Sequence, residues 1–193
     1  MREMTRSAIV ALFVFGSLGS LLAQGPPVAG AVAQPALPPA TKLEGFNPAA
    51  GSIMTVGYDE LGKVSFNVAV DVRDIRDSKG AAARGLMIEV TESQYREERS
   101  FVDADEIPEL LKGLDALASV QTNPTQFKSF EVNYSTRGGL KLTAFNDSKG
   151  KISYAVQTGR TLKAQTFLSR EDLTKLRALF EAGLQKLNST IGK

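Results

Sequence analysis

The tetrapeptide Asp-Ser-Lys-Gly occurs twice in this chain, at Asp77–Gly80 and Asp147–Gly150. Each copy sits between the second and third extended segments of a longer matching pattern. Such an internal match restricts the fold more than any single motif, because two copies of one supersecondary plan must bury their apolar faces together. In the first half, Val64, Phe66, Val68, Val70 and Val72 alternate with Lys63, Ser65, Asn67, Ala69 and Asp71, the period of a half-buried strand. A strand at Ser52–Tyr58, closed by an Asp59-Glu60-Leu61-Gly62 turn, precedes it; Gly85–Thr91 and Tyr95–Val102 follow. A helix is then expected over Ala104–Ser119, with Asp103 as N-cap and Glu106 three residues on as a capping box. Its apolar stripe is Ile107, Leu110, Leu111, Leu114 and Leu117.

The second half repeats this order. Strands are expected at Phe127–Ser135, Leu140–Asn146, Lys151–Gln157 and Thr161–Leu168. A helix follows from Arg170 to Leu187, capped by Ser169 with Asp172 and striped by Leu173, Leu176, Phe180, Leu184 and Leu187. Ser100-Phe101-Val102-Asp103 superposes on Thr166-Phe167-Leu168-Ser169 at the two helix starts. The fold class is therefore α+β: two ββββα repeats, about 50–120 and 121–189, with antiparallel sheets and helices packed on the apolar face.

Turn chemistry sets which residues share a face. A three-residue loop Ser148-Lys149-Gly150, with glycine left-handed, pairs Ala144 with Tyr154 and Leu142 with Val156. The same rule applied to Thr136-Arg137-Gly138 pairs Tyr134 with Leu140 and Val132 with Leu142. One face then collects Phe130, Val132, Tyr134, Leu140, Leu142, Tyr154, Val156 and Leu162, and the helix stripes must cover it. The opposite face carries Lys141, Lys151, Lys163, Phe145 and Phe167. Aromatic rings among ammonium groups suit a stacking and anion-binding platform, a partner interface or a self-contact. These five residues form the candidate ligand- or partner-binding site.

The N-terminus reads as an address. Arg2 and Arg6 precede an apolar stretch from Ala8 to Ala23. It is too short for the roughly 20 apolar residues that a membrane span needs, and it has the layout of a secretory signal peptide. Cleavage fits after Ala23 or after Ala33. No charge appears from Ser7 to Thr41, and six of the eight prolines lie between Pro26 and Pro48. The expected plan is signal peptide 1–23, a flexible Pro/Ala-rich linker 24–49 and one domain 50–193, exported to the periplasm or secreted from a bacterium.

The chain has no histidine and no cysteine. That excludes a Ser-His-Asp triad, a thiolate nucleophile, a disulfide framework and any His- or Cys-based metal or haem site. No catalytic residue, metal or cofactor is assigned. The acidic run at Asp103, Asp105 and Glu106 is read as helix capping. Ser148-Lys149-Gly150-Lys151 matches Ser-x-x-Lys, but in a hairpin rather than at a helix start. Charge divides by half: Ala50–Val120 holds 8 Lys/Arg against 14 Asp/Glu, and Gln121–Lys193 holds 12 against 5. Halves of opposite sign can attract within a monomer, associate head to tail, or present a basic surface to an anion.

The two ββββα units, over about residues 50–189, resemble the plan shared by the Whirly and PUR single-stranded nucleic-acid-binding domains. The likeness is one of topology and implies a fold, not a partner. The stretch Phe101-Val102-Asp103-Ala104-Asp105-Glu106-Ile107-Pro108-Glu109-Leu110-Leu111-Lys112-Gly113-Leu114-Asp115 resembles a segment of uncharacterised exported bacterial proteins, which implies no activity. The sequence thus points to a non-catalytic module that binds a protein, envelope component or small ligand, or self-associates. The alternatives are an enzyme built on carboxylates or lysine, and an anion or nucleic-acid binder by fold analogy.

Overall fold

The computed structural model describes residues 37–121 and 124–189. The expected signal peptide and residues 24–36 of the expected linker lie outside them. Eight strands and two helices follow in the order β1 (Met54–Val64), β2 (Val68–Asp77), β3 (Ala82–Ser93), β4 (Arg96–Asp103), α1 (Ile107–Ala118), β5 (Glu131–Ser135), β6 (Lys141–Asn146), β7 (Ile152–Thr158), β8 (Ala164–Leu168) and α2 (Arg170–Ser189). They form two antiparallel four-stranded sheets, β1-β2-β3-β4 and β5-β6-β7-β8, each followed by a helix. The architecture is the duplicated ββββα plan of an α+β domain.

The repeated tetrapeptide makes the same turn twice. Asp77 Oδ1 accepts the Lys79 and Ala81 N–H groups, and Asp147 Oδ1 accepts those of Lys149 and Lys151. Gly80 and Gly150 supply the left-handed residue of each loop, at φ +97° and +80°. The backbone bonds from Ala81, Ala49 and Lys79 hold the Asp77 carboxyl below its usual range. Pairing across the second hairpin is as expected, with Ala144 opposite Tyr154 and Leu142 opposite Val156.

Several boundaries differ. The single strand expected from Val64 to Val72 is interrupted by a hairpin at Ser65-Phe66-Asn67, where Ser65 and Phe66 adopt positive φ and Phe66 is 98% exposed. Asp59-Glu60-Leu61-Gly62 is not a turn but an irregularity within β1, where the register slips between Glu60 and Gly62. At the β5–β6 hairpin, Arg137-Gly138-Gly139 forms the loop and Gly139 is left-handed, so Tyr134 faces Leu142 and Val132 faces Ala144. A slip of two residues keeps every side chain on its expected face. β8 starts only at Ala164, which leaves Leu162 in a loop and 71% exposed instead of on the apolar face.

Each helix covers the other repeat's sheet. α1 packs on β5 and β6, and α2 on β1, β2 and β3, while the helices also touch each other. Glycines permit these approaches. A Cβ on Gly113 of α1 would lie 2.4 Å from the Tyr134 ring of β5, and one on Gly183 of α2 would lie 2.5 Å from Leu86 Cδ2 of β3. The stripes Ile107, Leu110, Leu114, Leu117 and Leu173, Leu176, Phe180, Leu187 enter one continuous core with Val68, Val70, Leu86, Ile88, Leu142, Tyr154 and Val156. Burial of Tyr134, followed by the nearby Glu106 and Glu109 carboxylates, pushes its phenol above the ordinary value.

Ion pairs join the halves with one polarity. Arg137 with Asp105 and Glu106, Arg177 with Asp115 and Lys186 with Asp59 each set a second-half cation on a first-half carboxylate, and Arg160 reaches Glu44 of the segment before the first half. The uneven charge distribution is thus used, at least in part, inside the monomer.

The expected tether is docked where it is described. Asp103 is not an N-cap but a buried residue closing β4, and its carboxylate accepts the Lys42 and Leu43 N–H groups at 2.9 and 3.2 Å. Thr41 and Leu43 are buried, with Leu43 against Gly85. α1 accordingly starts later, at Ile107, with no side-chain cap and Pro108 in its first turn. Glu106 is drawn off as well, since its carboxylate accepts the Arg137 N–H at 2.9 Å.

Candidate functional site

The outer face of the second sheet is shaped by β5–β8 acting together. Ala155 of β7 stands opposite Thr143 of β6 and Phe167 of β8, and Phe145 lies one row along, opposite Glu131 and Ser153. The small alanine between them is buried, and above it Phe145 and Phe167 meet edge to face, with ring centres 6.0 Å apart and planes at 60°. Phe167 is 67% exposed. The rings, with Lys141, Thr143, Gln165 and Glu131, line a shallow concavity.

Lys141 is shared with a second hollow. Its other walls are Lys163, Arg160, Gln157, Ser135 and Leu37, together with glycine backbone of the β5–β6 and β7–β8 loops. Among the described residues no carboxylate lines it. Arg160 is already engaged, donating to Pro38 O at 2.6 Å and Glu44 Oε2 at 3.1 Å. The side-chain polar groups remaining in the hollow are the two ammonium groups, the Gln157 amide and the Ser135 hydroxyl.

Of the five residues expected to form a site, Lys141, Phe145 and Phe167 share one concavity, and Lys141 and Lys163 share the next. Lys151 lies apart, exposed at the β6–β7 hairpin end, where its N–H donates to Asp147. Glu131, Thr143 and Gln165 share this face by the strand period, although the sequence alone does not single them out. Leu37 and Arg160 left no signal, because loop and linker positions follow no period. Chemically, the paired hollows offer a flat apolar contact beside two cationic groups, which suits an acidic or anionic surface with an adjoining apolar element.

A concavity on the first sheet differs in kind. It lies between β1–β3 and the end of α2, with Tyr58, Asp74, Arg84 and Lys186 among its walls. Its charges are matched internally. Asp74 bonds Arg76 and Arg84, and Lys186 lies 2.7 Å from Asp59. Burial opposes ionisation of Asp74, but the Arg76 hydrogen bonds and the Arg84 charge outweigh it and hold the carboxyl below its usual range.

The acidic run before α1 serves structure, through the contacts of Asp103, Asp105 and Glu106 described above. Ser148-Lys149-Gly150-Lys151 is a hairpin loop and its flank. Among the described residues no group of three acidic side chains is placed to hold a metal ion, and no helix is long and apolar enough to cross a membrane. No family model and no curated protein matches this chain.

Proposed function

We propose that this chain is an exported, non-catalytic binding module that takes up a partner or ligand on the outer face of its second sheet. The observation that carries this reading is the exposed Phe167 ring set against the half-buried Phe145 in a concavity beside Lys141, next to a hollow with Lys163 and, among the described residues, no carboxylate. Apolar rings fixed against each other over Ala155 lose little side-chain entropy on binding, and neighbouring ammonium groups orient a partner of opposite charge. Export is supported by the basic start, apolar stretch and small residues of the first 33 positions. The hollow lined by lysine, arginine and amide favours an acidic partner over a neutral one.

The test is affinity capture from an envelope extract with the exported chain, alongside Phe167→Ser and a Lys141→Glu/Lys163→Glu double variant of unchanged melting temperature. Partners held by the parent and lost by both variants bear the proposal out. Recovery of the same set by all three forms overturns it. A steep fall in capture with salt, abolished in the double variant, identifies the anionic component.

A further inference from the structure

The first sheet ends in an open edge. Among the described residues, β1 is paired only by β2, although it runs for 11 residues. The Ser78 N–H donates to Ile53 O at 2.9 Å, which fixes the alternation of the ladder. Residues 53, 55, 57 and 59 turn their backbone groups toward β2, so Met54, Val56 and Tyr58 turn theirs outward. The side chains of those three lie on the sheet's outer face, opposite Asp77, Ile75 and Arg73. Ile53 is 75%, Met54 48%, Val56 39% and Tyr58 67% exposed. The same face is covered farther along, where Leu43 lies on Gly85 and Ala83 and Met87 are buried. From Ile53 to Tyr58 this edge is uncharged and without proline, the kind that proteins otherwise blunt or pair.

We propose that β1 pairs antiparallel with β1 of a second copy, about a two-fold axis at Gly57. An outward backbone group must meet an outward group, so a symmetric ladder pairs even-numbered residues with even-numbered ones. With the axis at Gly57, Val56 faces Tyr58 of the second copy, twice, as an aromatic–β-branched pair. Gly57 faces its own copy in the closely spaced, non-hydrogen-bonded position. Charge selects against axes farther along the strand. Centring on Asp59 or Glu60 would set a carboxylate against its own copy, whereas at Gly57 these residues face Thr55 and Met54. Asp59 is moreover matched by Lys186 within its own chain. The irregularity after Glu60 ends the ladder and turns the rest of the strand away. Arg73, seated 4.9 Å from the Tyr58 ring centre and bonded to Asp71, holds that ring on the shared face. The product is a continuous eight-stranded sheet, four strands from each copy, with Met54, Val56 and Tyr58 of both copies contiguous across the axis.

The chain lacks cysteine, so single-cysteine variants report on the register. A Cβ at Gly57 meets only Asp74 O, at 3.7 Å, and the fold accommodates it. Under mild oxidation Gly57→Cys is expected to give a disulfide-linked dimer, while Thr55→Cys, set about four residues from its own copy, stays unlinked. Val56→Pro removes only an outward N–H and is tolerated at an edge. It is expected to weaken the dimer about tenfold or more in sedimentation equilibrium, with an unchanged circular dichroism spectrum. A parent chain that stays monomeric at all accessible concentrations, or Gly57→Cys that links no faster than Thr55→Cys, overturns the proposal.

Discussion

The two repeats share strand order and a turn bonded in the same pattern, yet they begin their helices by different means. In the second, the Ser169 hydroxyl accepts the Asp172 N–H at 3.1 Å while Asp172 Oδ2 accepts both the Ser169 N–H and hydroxyl. That is a complete local capping box. In the first, the equivalent Asp103 is buried and its carboxylate serves the Lys42 and Leu43 N–H groups, about sixty positions away in sequence. A capping signal is an offer that the strongest nearby donors take up. A buried and a part-buried backbone N–H outcompete an exposed helix start that water can satisfy.

The sharpest way to break this comparison is to remove both side chains. Asp103→Ala strands the Lys42 and Leu43 N–H groups and deprives Arg137 of a carboxylate 3.8 Å away, so a loss of about 2–4 kcal/mol is expected by urea denaturation. A loss no larger than that of the cap substitution at Ser169 would mean that Asp103 is only a displaced cap. The next effect concerns the exchanged helices. Gly113→Ala drives a methyl into three atoms of the Tyr134 ring at 2.4–2.7 Å, whereas Gly183→Ala meets the ends of Leu86 and Leu61. The first is expected to cost about 1–3 kcal/mol despite a helix-propensity gain of roughly 1, and more than the second. A double-mutant cycle decides whether α1 lies on β5: in a Tyr134→Ala background the cost of Gly113→Ala should vanish. Additive costs would place α1 elsewhere.

These contrasts also show what the sequence could carry. Part of the second repeat was legible to the residue, because its determinants are local: a glycine turn fixes the β6–β7 register and Ser169 with Asp172 fixes α2, whereas the β5–β6 register and the starts of β5 and β8 were not. The first was legible in order but not in detail. A three-residue hairpin preserves the period of two, so Val64 and Val68 both face the core and the alternation runs unbroken through the turn. Ser65 and Phe66 hold positive φ without glycine, which erased the usual mark of such a turn. Asp103 was misassigned because its partners approach from the N-terminal segment, where composition suggested only a tether. The same division runs through the candidate site. Lys141, Phe145 and Phe167 follow from strand period and register, whereas Arg160, whose partner Pro38 is 122 positions away, follows from neither.

The smallest expected effect separates a local helix start from a borrowed one by its response to acid. The Ser169 hydroxyl, ahead of its N–H, holds the Asp172 carboxyl below the ordinary carboxylate range, against the opposing pull of partial burial. A carboxyl with a depressed folded-state pKa adds stability that is fully present above the unfolded value, near 3.9, and is lost as pH falls through the folded value. Ser169→Ala should therefore cost about 1 kcal/mol at neutral pH, as a lost N-cap does. The gap to the parent should narrow below about pH 4, as protonation of Asp172 dissolves the box in the parent as well. A gap that stays constant down to pH 2 would mean that the hydroxyl caps α2 without its carboxylate partner. The second repeat would then keep only half of a capping box, and the contrast between the two helix starts would rest on Asp103 alone.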